Sequence, residues 1–425
     1  MYKVGDLMKD FLPGQVYQQS MERASKRAYG KFYTPVFIID FILGKILSDI
    51  DLIEKPFVKI LDPACGCGFF LIRAYDFLKG KFKKELPILR KRYYDEDYEI
   101  NQNGNIKTVK GEQYWREENL HYHILKHCLY AADIDREALK ICSAGLLAKD
   151  ENPYADELNI VCGDSLFRWE KYYDKEQLYD ELQNQKLIYD IKNTLENKVE
   201  YADKARAEEI LKNVEFWSNK FDFIIGNPPY VGHKELSIEY KKWLLDEYED
   251  TFKDKSDLSY CFYQRALEVV EDKGMIGFIS SRYFMESPTG RNLRRYLRDN
   301  CRIINIVDFY GEEIFPGVGV AAAIFFLSKE VDSNNEIEIW KYKGSKSINL
   351  EIKNFDIFKV NQDKISEDRW ILIPDEERRI LERIENTCKK RLGDIAESFQ
   401  GIITGCDKAF QYSSLFIGNQ NPSVF

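Results

Sequence analysis

The stretch FDFIIGNPPYVG (residues 221–232) runs from an apolar strand pattern straight into two prolines. Phe221 to Ile225, apolar except for Asp222, read as a short buried strand. Gly226, Asn227, Pro228, Pro229 and Tyr230 follow, with Gly232 closing the segment. Proline donates no backbone N–H, so a ladder cannot continue through the pair and the strand must end there. The tetrapeptide is therefore predicted at the carboxyl end of a core strand, where open parallel sheets bind their ligands.

Working outward, the same apolar runs recur in VKILDPACGCG (58–68), LYAADID (129–135), NIVCGDSL (159–166), GMIGFISS (274–281) and RIINIVDFYG (302–311). Between them, PVFIIDFILGKIL (35–47), FFLIRAYDFL (69–78), DREALKICSAGLLA (135–148) and SYCFYQRALEVVEDKG (259–274) repeat apolar residues at helical spacing. Strands alternating with helices over residues 31–330 predict an α/β fold with a mostly parallel sheet. AAAIFFLSK (321–329) follows a Gly/Pro loop with no intervening helix, which predicts an antiparallel strand at or near one edge. Two charged, Tyr/Lys/Glu-rich insertions, 79–127 and 167–220, are expected to be helical and to decorate the rim. Residues 1–30 read as an N-terminal helical arm and 331–390 as a connector. Residues 391–425 read as the opening of a further domain that breaks off at Phe425.

Bulk properties bound the class. With 44% hydrophobic and 31% charged residues, the 425-residue chain has a globular composition and room for more than one core. No apolar run approaches the roughly 20 residues that span a bilayer, so no membrane partner is expected. The nine cysteines are scattered without C-x-x-C spacing, and the N-terminus lacks a secretion signal. A cytoplasmic location is the expectation. The net charge of −9 leaves nucleic acid open as a partner, because local basic clusters matter more than the total.

Each predicted strand end carries a residue suited to one ligand. Asp62 opens a turn in which Gly66 and Gly68 allow close backbone approach. Asp133 ends the next strand, where a carboxylate can accept both ribose hydroxyls. Asp164 ends the third, within reach of an exocyclic amine. Helix capping is the commoner use of such acids, and Asp135 has that place before REALKI. Three acids on successive strand ends describe a nucleoside-shaped site, and no Walker pattern calls for a triphosphate. S-adenosyl-L-methionine fits that description.

Asn-Pro-Pro-Tyr then explains the methyl group. An aromatic amine is a poor nucleophile because its lone pair is delocalised into the ring. The side-chain oxygen of Asn227 and the carbonyl of Pro228 can accept both N–H bonds and localise that pair. Pro229 stiffens the loop, and Tyr230 can stack on the base. Catalysis would rest on positioning and electrostatics, with no metal. A base inside a duplex must be flipped out to reach such a site.

GKFYTP (30–35), DPACGCG, AADID, GDSL and GNPPY, in that order, resemble the gamma class of DNA N6-adenine methyltransferases. That class includes the TaqI methyltransferase and type IIG restriction-modification enzymes. The resemblance covers roughly residues 25–330, and FQGIITGCDKAF (399–410) resembles the start of that group's target recognition domain. It implies a Rossmann-like methyltransferase fold for residues 31–330. It also implies a cofactor site of Thr34, Asp62, Pro63, Ala64, Cys65, Gly66, Asp133, Ile134, Asp164, Ser165 and Pro229. Thr34 and Asp62 to Cys65 would meet the methionine part, Asp133 the ribose, Asp164 the adenine amine and Pro229 the adenine ring. Asn227, Pro228, Pro229 and Tyr230 would be catalytic, with double-stranded DNA and its flipped adenine as partner.

The enzyme would serve a restriction-modification system, with a separate restriction endonuclease as a candidate partner, or act as a solitary methyltransferase. Asn-Pro-Pro-Tyr is also shared with protein-glutamine and RNA methyltransferases. An inactive DNA-binding subunit of a defence complex would be expected to have lost the tetrapeptide or Asp133, and both are intact. The family's second base-flanking aromatic falls among Phe325, Phe326 and Leu327.

Three further features stand outside this set. Arg291, Arg294, Arg295 and Arg298 share one face of a predicted helix and are candidates for phosphate contact. His123 and His127 are four apart, but no third ligand lies nearby to make a metal site. Cys65 and Cys67 flank Gly66 and need no reactive role.

Overall fold

The computed structural model describes Gly14 and residues 34–397, less 103–104, 152–156, 172–208, 254, 316–319, 333, 345–347, 349 and 389. The predicted arm at 1–30, except for Gly14, lies outside the described residues. So does most of the segment 391–425.

Helix α1 (Val36–Ile46) follows Pro35, whose fixed φ suits a helix start. Its Ile38, Ile39, Ile42, Leu43 and Ile46 are buried, each such side chain contributing about 1.5–3 kcal/mol. Strand β1 (Ile60–Asp62) leads through the Gly turn into α2 (Phe69–Arg92). Strands β2 (Asp97–Gln102) and β3 (Asn105–Lys110) form a separate antiparallel hairpin. The central sheet resumes with β4 (Leu129–Asp133), α3 (Arg136–Leu147), β5 (Ile160–Cys162) and β6 (Phe221–Gly226). Next come α4 (Ile238–Glu247), α5 (Ser259–Val269), β7 (Val270–Ser281), α6 (Arg291–Asn300), β8 (Arg302–Asp308) and β9 (Ala322–Ser328). Strands β10 (Glu336–Tyr342) and β11 (Phe355–Asn361) complete the sheet, and α7 (Asp375–Thr387) lies beyond it in the chain.

The nine-stranded order is β11-β10-β8-β9-β7-β6-β1-β4-β5. Parallel pairs join β5 to β4, β4 to β1, β1 to β6 and β6 to β7. This is a Rossmann-like methyltransferase sheet, mostly parallel, with β9 antiparallel inside it and β11 antiparallel at its edge. Strand period two sends neighbouring residues to opposite faces: Ile60 and Ile225 join one core, Leu61 and Ile224 the other. The chain steps from β1 outward to β4 and β5, then returns to β6 on the other side of β1. That reversal opens a crevice beyond the carboxyl ends of β1 and β6.

Three expectations change. Strand β9 is antiparallel, as its helix-free approach predicted, but it lies between β7 and β8 inside the sheet and not near its edge. The segment 331–390 is not simply a connector, because β10 pairs parallel with β8 and β11 pairs antiparallel with β10. Burial of Ile337 and Ile339, two residues apart, drives that pairing. Accordingly, the division into two compact units falls between Ile373 and Pro374. Insertion 79–127 is not wholly helical, since it holds the end of α2 and the β2–β3 hairpin. Within 167–220, residues 209–217 are helical and 172–208 lie outside the described residues.

Candidate active site

Asp62 and the end of β6 meet at the crevice. Ile60 pairs with Phe223 and Leu61 with Ile224, so the next residues of both strands emerge side by side. Gly226 has φ +150°, and an added Cβ would sit 2.7 Å from Asp62 Oδ1, so only glycine fits there. Asp62 is buried and accepts a hydrogen bond from the Ala64 N–H at 3.1 Å. Burial pushes its carboxyl well above the usual range, and the Asp133 charge adds to the rise.

The turn after β1 is held by backbone bonds and by Asp133. Cys65 N–H donates to Ala132 O at 3.1 Å, while Gly66 N–H donates to Asp133 Oδ2 at 2.8 Å. Asp133 Oδ1 accepts from Asp135 N–H at 2.8 Å. Gly66 has φ +51°, and a Cβ added there would meet nothing within 4 Å. Its Cα therefore faces open space, a cradle for a ligand. Gly68, at φ +80°, has the opposite reason, since a Cβ would come 2.4 Å from Cys142 Sγ and block the seating of α2 on α3. The Cys65 thiol is buried and pushed well upward by that burial, so it stays protonated and is no nucleophile.

At the end of β5, Asp164 Oδ1 accepts from Leu166 N–H at 2.9 Å and Oδ2 from the Tyr240 hydroxyl at 2.6 Å. Ser165 Oγ donates to Pro63 O at 2.6 Å, tying the β5 loop to the β1 turn. Ile134 is 55% exposed, next to Asp133 at the rim. Asp135 caps α3 through the N–H groups of Glu137 and Ala138, as its place before REALKI predicted.

Helix α1 reaches the same crevice from the side. Gly277 on β7 lets α1 pack close, since a Cβ there would meet Ile46 at 2.6 Å and Ile42 at 2.9 Å. The helix start thereby delivers buried Thr34 to the tetrapeptide, and Asn227 Nδ2 donates to Thr34 Oγ1 at 3.1 Å. Tyr230 OH donates to Asn227 Oδ1 at 2.5 Å and lies 3.3 Å from Ile279 O. The Tyr230 ring is only 9% exposed and packs edge-on to Phe315, with centroids 6.2 Å apart. It is thus not an open stacking face at the strand lip.

Phe325, Phe326 and Leu327 are where the sequence reading puts the second aromatic. They sit mid-strand in β9 and are buried, with Phe325 packed on Phe284 and Phe326 on Phe41. Phe315, in the loop before β9, is the aromatic against Tyr230. Its signal in the sequence is the aromatic before Pro316, ahead of the strand instead of inside it.

The arginine face is also corrected. Arg294 is fully buried, and its guanidinium donates to the carbonyls of Phe284, Ser287, Glu367 and Asp368. It cannot contact phosphate. Arg291 is paired with Glu367 at 2.6 Å and Arg298 with Asp299 at 2.7 Å, while Arg295 is exposed.

His123 binds no metal, because both ring nitrogens are engaged. Nε2 donates to Pro56 O at 2.8 Å, leaving Nδ1 to accept from Tyr114 OH at 2.8 Å. Burial lowers its pKa to about 3. Among the described residues no helix is long and apolar enough to cross a membrane.

Comparison with known proteins shows what this fold and crevice are similar to. Residues 127–315 match the family model described as Eco57I restriction-modification methylase. Over 418 residues the chain is 24% identical to the type II restriction enzyme and methyltransferase RM.Eco57I of Escherichia coli, covering 89% of this chain and 35% of that protein. It is 29% identical over 221 residues to the type II methyltransferase M.HindII of Haemophilus influenzae, covering 46% and 41%. The DrdV–DNA complex shares the fold at a TM-score of 0.54 and 18% identity, covering 88% of this chain and 34% of that one. A nuclease-deletion mutant of the Type ISP restriction-modification enzyme LlaGI, solved with a DNA substrate mimic, does so at 0.52 and 20%, covering 80% and 27%. The chain thus spans well under half the length of these relatives.

Proposed function

We propose that this chain carries the catalytic part of a site-specific DNA adenine-N6 methyltransferase of a restriction-modification system. It would transfer a methyl group from S-adenosyl-L-methionine to the exocyclic amine of an adenine flipped out of duplex DNA. One observation carries the reading: the Asn227 amide is fixed at the crevice by Thr34, so its oxygen is held as a hydrogen-bond acceptor. The sequence relatives agree in kind, among them the adenine-specific methyltransferase PglX of Streptomyces coelicolor, 23% identical over 322 residues, covering 73% of this chain and 24% of that protein.

The residues of the crevice fit the cofactor. Asp62 and Asp133 form an acidic pair whose mutual repulsion a cationic ligand would relieve. Gly66 leaves open space, and Asp133 and Asp164 offer acceptors to a ribose and an amine. When bound, S-adenosyl-L-methionine supplies an electrophilic methyl group on a sulfonium. Asn227 Oδ1 and Pro228 O then accept the two N–H bonds of the target amine and localise its lone pair, and the amine releases a proton to solvent after transfer. Entry of the base requires Tyr230 to turn, freeing Asn227 Oδ1 and presenting its ring for stacking.

The test is to incubate the protein with duplex DNA and methyl-labelled S-adenosyl-L-methionine, then digest the DNA to nucleosides. Label in N6-methyldeoxyadenosine is expected. Label in a cytosine product, or in protein or RNA supplied in place of DNA, would overturn the proposal.

A further inference from the structure

Tyr240 lies outside the set of site residues expected from the sequence, yet its hydroxyl reaches Asp164. The residue lies on α4, which begins soon after the Asn-Pro-Pro-Tyr loop and is capped by Ser237. Its ring stacks on Trp243, with centroids 5.4 Å apart and planes at 22°. Trp243 in turn stacks on Phe167, at 6.2 Å and 23°. Phe167 is three residues beyond Asp164, so the three rings brace the β5 loop against α4. That bracing needs only the rings, and a phenylalanine would supply it. The hydroxyl goes elsewhere, to Asp164 Oδ2 at 2.6 Å.

The donors around Asp164 are few and unevenly placed. Leu166 N–H takes Oδ1. Arg265 on α5 faces the loop, but its Nε–H donates to Ser165 O at 3.0 Å and its terminal nitrogens to Glu170 at 2.6 and 2.8 Å. Its charge is therefore shared with another carboxylate. The Cys261 thiol on α5 is also near and is held protonated by burial. Tyr240 is the one side chain on the described elements seen to donate directly to this carboxylate. Burial pushes the Asp164 carboxyl upward, and the Tyr240 hydroxyl is the largest influence drawing it back, ahead of Leu166 N–H and Arg265.

A carboxylate and a carboxylic acid read a purine edge differently. The ionised form only accepts and so selects an amine, whereas the protonated form can donate to an oxo group. Resting on the cofactor reading above, we propose that Tyr240 is a positioning residue that keeps Asp164 oriented and ionised as an amine acceptor. It thereby sets the preference of the site for an adenine over an oxopurine nucleoside.

The experiment compares calorimetric binding of S-adenosyl-L-homocysteine and its inosine counterpart between about pH 6 and pH 8. The native protein should favour the adenine compound by about tenfold or more at both limits. Tyr240→Phe retains the ring stack and should melt with the native protein. Its affinity for the adenine compound should fall by about tenfold from the upper to the lower pH, and its preference should narrow there. Asp164→Asn should lose the preference at both limits, and adding it to Tyr240→Phe should remove the extra pH dependence, assigning that titration to Asp164. If the Tyr240→Phe profile superimposes on the native one, the hydroxyl has no such role. If the native protein binds neither compound, the cofactor reading falls and this assignment with it.

Discussion

The Asn-Pro-Pro-Tyr loop and the arginine face of α6 were both read from local pattern, and they differ in what surrounds them. In the loop, Tyr230 donates to Asn227, and Asn227 donates to Thr34, which comes from a distant part of the chain. Their polar atoms converge on the crevice beside Asp62. On α6, the arginine at the heart of the stripe turns into the protein, where four carbonyls surround it. Helical spacing tells which residues share a face. It does not tell whether that face meets solvent or, as here, residues 367–368 folded across it. Position relative to the sheet is the stronger guide, because the carboxyl end of a parallel strand next to a chain reversal is open by construction.

The comparison is broken or sharpened by substitutions on both sides. The largest effect is expected from Asn227→Ala, which should cut methyl transfer by about 10²–10³, or roughly 3–4 kcal/mol of barrier. Melting temperature should hardly move, and a native rate would remove the amide from the chemistry. Arg294→Ala should act on stability instead, costing about 3 kcal/mol because four carbonyls lose a charged donor. Urea denaturation with an unchanged midpoint would return Arg294 to the surface.

Asp133→Ala should weaken binding of the cofactor by roughly ten- to a hundredfold, through loss of charge-assisted bonds. Calorimetry giving native affinity would take Asp133 out of the site. The smallest effect belongs to Arg295→Gln. It should leave the melting temperature unchanged and flatten the salt dependence of DNA binding by about 0.9, the slope of one phosphate contact. An unaltered slope would make Arg295 a solvated side chain, and the arginine face would then have no nucleic-acid role at all.

Much of the architecture was legible because the sheet is buried on both faces. Mostly apolar runs such as Phe221–Ile225 and Ile303–Val307, each broken by one polar residue, read as core strands between turn signals. Strands β10 and β11 were missed because their alternating pattern follows a break in the strand–helix rhythm. An alternating pattern cannot say which edge a strand will join. The β2–β3 hairpin was hidden for a related reason. Its strands are polar on most positions, so neither period stands out.

By itself, the sequence determined that Asp62, Asp133, Asp164 and Asn227 end core strands, since prolines, glycines and caps stop ladders through local sterics. Which of them share a crevice was decided by strand order, a product of long-range pairing. The same pairing carried Thr34 to Asn227, turned Tyr230 inward against Phe315 and brought the Tyr240 hydroxyl onto Asp164. It also buried Arg294. Hydrogen bonds and burial of this kind depend on which distant segments come to lie together, and no spacing within one segment contains that information.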